Sequence, residues 1–218
     1  MGGQVGISES FSQQPIWPYL QQAINLGTLV TGTTVSDSLT RNERITLPRL
    51  ESWRALDCHW LSFIIKAPAL QNLYVNFYSD CDNIDLVISF LRESDCKLAH
   101  LTWDGAASSP SKILRLAPEL VHVELLRDND IIAASIESLS TPIPGVVIGS
   151  NFPAPRLQSL QVDLVNGQLT DGIIDGLSKF FVFRNRQPVS NVGRSAIVDR
   201  VTWLFVGTRA HYSEKLGI

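Results

Sequence analysis

The stretch APALQNLYV (67–75) returns twice along the chain, as APELVHVEL (117–125) and APRLQSLQV (154–162). Beneath these words lies a looser pattern, L-x-x-L-x-L, with any apolar residue at each anchor. It fits Leu50/Trp53/Ala55, Leu70/Leu73/Val75, Leu98/Leu101/Trp103, Leu120/Val123/Leu125, Leu157/Leu160/Val162 and Val201/Leu204/Val206. Successive first anchors are 20, 28, 22, 37 and 44 residues apart. The first three gaps fall within the roughly 20–29 residues of a leucine-rich unit, and the last two require insertions. The last two anchors of each unit are two residues apart, so in a strand they share a face. One such strand cannot bury that face alone. Stacking the strands in parallel closes a continuous core, and each unit then needs a return segment on the outer side.

The return segments carry helical spacing. In NIDLVISFLRES, Ile84, Val87, Ile88 and Leu91 form one stripe, with Asp82 or Asn83 placed to cap it. Ile113, Leu116 and Ala117 are expected on one side of SKILRLA, and Ile132, Ile136 and Leu139 on one side of DIIAASIESLS. Ile173, Leu177 and Phe180/Phe181 follow the same spacing behind Thr170 or Asp171. Pro48, Pro68, Pro118 and Pro155 each stand two residues before a first anchor. Proline cannot continue a helix and biases the preceding residue toward extended geometry, so it marks the switch from outer segment to inner strand. The fold expected is α/β: an irregular leucine-rich-repeat solenoid with a curved parallel sheet and outer helices. The competing expectation, a doubly wound α/β domain, predicts continuous apolar strands and a glycine-rich turn, and no GxGxxG occurs.

Residues 1–44 are polar and rich in Ser, Thr, Gln and Gly. A short helix in PIWPYLQQAINLG, ended by Gly27, is followed by a loop reading VTGTTVSDSLTRNER. The expected organisation is a polar N-terminal cap or linker over 1–44 and a degenerate repeat domain over 45–218. The net charge is -3 without a basic stripe, so neither nucleic acid nor an anionic membrane is expected as partner. Cys58, Cys81 and Cys96 lack CxxC spacing, which leaves them as free thiols of a reducing compartment rather than a zinc site or disulfide framework. The N-terminus has neither a basic n-region nor an apolar h-region, and Gly6 stands where a myristoylation signal needs Ser or Thr. The expected address is cytoplasmic or nuclear.

ITLPRLESWRALDCHWLSFIIKAPALQNLYV, ISFLRESDCKLAHLTWDG, ILRLAPELVHVEL and APRLQSLQV together resemble the leucine-rich C-terminal regions of F-box-like proteins of mushroom-forming (basidiomycete) fungi. The likeness covers roughly residues 45 to 208. It implies the substrate-recognition repeats of a cullin-type ubiquitin ligase subunit, with a protein partner that is ubiquitylated. A Skp-type adaptor is implied only where an F-box lies upstream, and no such helical segment is recognisable in 1–44. A stand-alone repeat scaffold unrelated to ubiquitin is the alternative, with an α/β enzyme behind it. Leu50, Trp53, Ala55 and Cys58 also fit the consensus L-x-x-L-x-L-x-x-C, but the positions equivalent to Cys58 are Tyr78, Ala106, Asp128, Val165 and Arg209, so the polar ladder of regular repeats is not kept.

No GxSxG, GxxxxGK[ST], HExxH or DxDxDG motif is present, and the adjacency of Asp57, Cys58 and His59 is weak ground for a nucleophilic site. No catalysis, metal or cofactor is expected. The residues between the anchors are the better candidates, because alternation turns them away from the core. They form a proposed protein-binding face of Arg54, Asn72, Tyr74, His100, Thr102, His122, Glu124, Gln161, Trp203 and Phe205, with Ser52 and Ser159 among them. Tyr, Trp, Phe and Arg among small polar groups is a composition that protein interfaces use. His100 and His122 become neighbours there, read as binding-face residues rather than as a metal pair. On this reading Tyr74→Ala leaves stability nearly unchanged while Leu73→Ala does not.

Overall fold

The computed structural model describes residues 3–7, 17–31, 45–56, 65–77, 84–105, 110–127, 129–141, 153–164, 169–186 and 203–207. Ten strands are present among them: β1 (Gly3–Ile7), β2 (Leu26–Thr31), β3 (Ile45–Thr46), β4 (Ser52–Ala55), β5 (Ile65–Lys66), β6 (Asn72–Phe77), β7 (His100–Gly105), β8 (His122–Arg127), β9 (Ser159–Leu164) and β10 (Trp203–Gly207). The helices are α1 (Trp17–Gln22), α2 (Ile84–Ser94), α3 (Ser111–Leu116), α4 (Asn129–Ser140) and α5 (Asp171–Arg186).

Eight strands form one sheet in the order β1-β2-β4-β6-β7-β8-β9-β10, while β3 and β5 make a separate two-stranded pair. Every pairing is parallel. The order follows the chain and never reverses. It therefore has no switch point of the kind that opens a ligand crevice in doubly wound sheets. The register agrees with the anchor pattern, strand after strand. Leu73 pairs with Trp53 and Leu101, Val123 with Leu101 and Leu160, and Leu204 with Leu160.

The anchors are buried. Leu50, Trp53, Leu70, Leu73, Leu98, Leu101, Leu120, Val123, Leu157 and Leu160 belong to one core cluster. Each helix contributes to that same cluster, through Leu20, Val87, Ile113, Ile132 and Ile173 in chain order. Helices therefore cover one face of the sheet. The stripes expected in α2, α4 and α5 face the core, with Ile84 and Phe181 only partly buried and Phe90 buried in addition, but α3 differs. It buries Ile113 and Leu114, and Leu116 is 40% exposed. The helix is only six residues long, and Leu116 is its last residue, about 200° around the helix from the buried Leu114.

The prolines serve as turn residues. Leu50 donates its N–H to Leu47 O, Leu70 to Ala67 O, Leu120 to Ala117 O and Leu157 to Ala154 O. Each is an i→i+3 turn with proline at its second position, where a φ near −65° is already in place. Pro118 does follow a helix, as expected. Pro48 and Pro68 instead follow the short strands β3 and β5. The residue before each proline is buried and, in three of the four turns, is alanine. The Leu98 unit lacks the proline. Its chain reverses at the end of α2, where Asp95 takes a positive φ of 50° and donates to Leu91 O.

A backbone ladder links the units at the N-terminal ends of the strands. Glu51 O accepts from the N–H groups of both Gln71 and Asn72, Gln71 O from Ala99 and His100, Ala99 O from Val121 and His122, and Val121 O from Gln158 and Ser159. One carbonyl with two lone pairs thus satisfies two donors of the next unit.

Residues 1–44 do not stand apart from the sheet. β1 pairs with β2 and β2 with β4, and Leu20, Leu26 and Leu29 lie in the common core. The sheet thus runs across position 45. The expected helix is shorter than its pattern and ends at Gln22, and Gly27 lies inside a strand instead of closing a helix. β2 escaped the repeat pattern because Thr31 fills the position of its last anchor, paired with Ala55. Thr31 is fully buried and accepts a hydrogen bond from Trp53 Nε1 at 3.2 Å, which satisfies both polar groups inside the core. No described helix is long and apolar enough to cross a membrane.

Candidate functional site

Alternation along β4, β6, β7, β8 and β9 turns the residues between the anchors to the face opposite the helices. The pairings align them into rows. Ser52, Asn72, His100, His122 and Ser159 form one row, and Arg54, Tyr74, Thr102, Glu124 and Gln161 the next. Arg54 and His100 are exposed and the other members are partly buried. Trp203 and Phe205 extend the two rows by backbone register, opposite Ser159 and Gln161. Their side chains lie outside the described residues. So do Asp57, Cys58 and His59, together with Asp82, Asn83 and the positions equivalent to Cys58.

The structure brings the predicted residues into contact as two networks. Thr102 donates to Glu124 Oε2 at 2.9 Å, and Gln161 Nε2 donates to Glu124 Oε1 at 3.1 Å. The carboxylate is held from both sides by neighbouring strands. On the other side of β7, the Arg54 guanidinium carbon stands 4.6 Å from the centroid of the Tyr74 ring. That is cation–π range. The Tyr74 hydroxyl donates to Asp104 Oδ2 at 2.7 Å and accepts from Asn76 Nδ2 at 3.2 Å. Burial first, and then the Asp104 carboxylate that holds its proton, push the Tyr74 phenol up to about 12. It is a fixed neutral donor at neutral pH. The His100 and His122 rings lie 5.8 Å apart, centre to centre, with their planes tilted by 48°. Burial and the neighbouring His100 lower the His122 pKa, while Glu124 opposes them.

Asn76 and Asp104 are the residues that the anchor pattern missed. With Leu126 and Asp163 they form a third row on the same face, and all four are buried, Asp104 to 1% exposure. The open face therefore closes toward the C-terminal ends of the strands. The L-x-x-L-x-L template stops one residue short of this row. Carrying the alternation one step past Val75, Trp103 and Val162 would have reached Asn76, Asp104 and Asp163. Tyr74, expected to face solvent, is instead half-buried between Arg54 and Asp104.

Among the described residues no group of three or more His, Cys, Asp or Glu side chains converges as a metal cage. Cys96 is half-buried, and burial raises its thiol to about 11, which makes it a poor nucleophile at neutral pH. The arrangement offers hydrogen-bond donors, acceptors and one stacked cation spread over five strands. No family model, curated protein or solved structure matches the chain.

Proposed function

We propose that the chain is a non-catalytic protein-interaction module, built as an irregular leucine-rich-repeat solenoid whose uncovered sheet face binds a partner protein. The observation that carries this reading is a parallel sheet in chain order with helices on one face and ordered polar and aromatic rows on the other. Parallel sheets are ordinarily covered on both faces. A repeat sheet that keeps one face free presents it as a binding surface. Sequential strand order supports the solenoid, since each unit then touches only its neighbours. The resemblance to F-box-like repeats extends the proposal: the partner is a protein destined for ubiquitylation, and a Skp-type adaptor takes part where an F-box is supplied upstream. A stand-alone scaffold unrelated to ubiquitin is the second reading.

The test is affinity purification of the full chain from cells, with quantitative mass spectrometry of what is retained. Thr102→Arg with Gln161→Arg alters the face, and Lys112→Glu alters the exposed helical side. Partners lost with the first change and kept with the second are the expected result. Identical profiles for all three proteins overturn the reading. Skp-type or cullin components among the lost or kept partners separate the ligase reading from the scaffold.

A further inference from the structure

We infer that His100 and His122 form a two-histidine site for a divalent transition-metal ion of the zinc, copper or nickel class on the open sheet face. The two residues are direct partners in the β7–β8 register, so strand pairing itself sets their spacing. An imidazole that binds zinc at about 2.0–2.1 Å puts its ring centre roughly 3.2 Å from the ion, so two such rings at a tetrahedral angle stand roughly 5–6 Å apart. The observed separation is 5.8 Å. His100 is exposed and His122 partly so, which leaves the ion an entry path.

The surroundings suit a cation. Asn72 and Ser159, both uncharged, flank the pair in the same row. The Glu124 carboxylate, two residues beyond His122, is held in place by Thr102 and Gln161 and adds a fixed negative charge. Arg54 is the only basic side chain other than the histidines among the described residues of this face, and it is stacked on Tyr74 two strands away from His100. Imidazole nitrogen selects zinc, copper and nickel over magnesium and calcium. With no third His, Cys, Asp or Glu ligand among the described residues, the ion keeps open positions for water or for a donor from another molecule. The inference does not depend on the face being a protein interface.

The experiment is titration of the full chain carrying Cys58→Ser, Cys81→Ser and Cys96→Ser with zinc chloride by calorimetry. One equivalent is expected to bind. Outer-shell partners alone change metal affinity by about 10–100-fold, so His100→Ala and His122→Asn, each losing a ligand, should weaken binding by at least about tenfold. His59→Ala and His211→Ala should not. His100 is exposed, so its variant tests the site without disturbing the core. Electron paramagnetic resonance of the copper-loaded protein should show two coordinated nitrogens, falling to one in His100→Ala. Wild-type binding only above about 1 mM, or an isotherm unchanged by both His100→Ala and His122→Asn, overturns the site.

Discussion

At the scale of single residues, the sheet divides its labour between neighbours in sequence. Leu73 and Leu160 are buried in the core cluster. Either Leu→Ala change should cost roughly 2–5 kcal/mol in chemical denaturation, the usual range for a large-to-small core substitution. Tyr74, one residue away, is not the inert surface group that alternation alone suggests. Tyr74→Phe removes one donor from Asp104 and the acceptor of the Asn76 amide, and Asn76 is 2% exposed. A buried donor left unsatisfied costs about 1–3 kcal/mol, so this single-atom change should destabilise measurably. The effect should also depend on pH. The folded phenol titrates near 12 against an ordinary 10, so its contribution is complete below the lower value and disappears between about 10 and 12. Denaturation midpoints of wild type and Tyr74→Phe should therefore converge as pH rises through that window. Midpoints that stay equally separated would show that the phenol proton is not what Asp104 holds.

At the scale of elements, a small residue permits the contact between consecutive helices. A Cβ on Gly176 of α5 would meet Ile136 Cγ2 of α4 at 3.2 Å, tighter than ordinary contact. At Gly172, one helical turn earlier, the nearest atom is Ala133 Cβ at 3.7 Å. Gly172→Ala should thus stabilise by up to about 1 kcal/mol through helix propensity. Gly176→Val should destabilise by about 1–3 kcal/mol, because the two helices must move apart. Thermal melts of the two variants that shift in the same direction would mean that α4 and α5 do not pack as described. The turns tell a similar story. Their proline supplies φ, the buried residue before it is alanine in three turns and Leu47 in the first, and the first anchor closes the hydrogen bond.

At the scale of the molecule, one core runs from Leu20 to Phe180 behind the sheet. Repeat stacks are stabilised by each unit and by its interfaces with its neighbours. Leu29 in β2 and Leu160 in β9 lie far apart in the strand order but within the same cluster. Leu29→Ala should therefore lower the midpoint of the same single calorimetric transition that Leu160→Ala lowers. A separate early transition in Leu29→Ala alone would mark the residues before 45 as an independently melting cap.

Much of the architecture was legible because it repeats. Anchor spacing predicted β4, β6, β7, β8, β9 and β10 and their register, since parallel pairing must place equivalent apolar residues side by side on one face. Helical periodicity named the buried stripes of α2, α4 and α5 for the same reason. The sequence did not reveal β2, whose inward Thr31 is polar and becomes tolerable only because Trp53 is there to bond it. Nor did it reveal the third row, where Asp104 and Asn76 meet Tyr74. By itself the sequence determined which residues turn inward, because burial obeys a period that a single strand already carries. Only the tertiary structure decided which outward residues touch, because contacts such as Tyr74 with Asp104 or His100 with His122 join strands 20 to 30 residues apart, and their distances are set by the sheet alone.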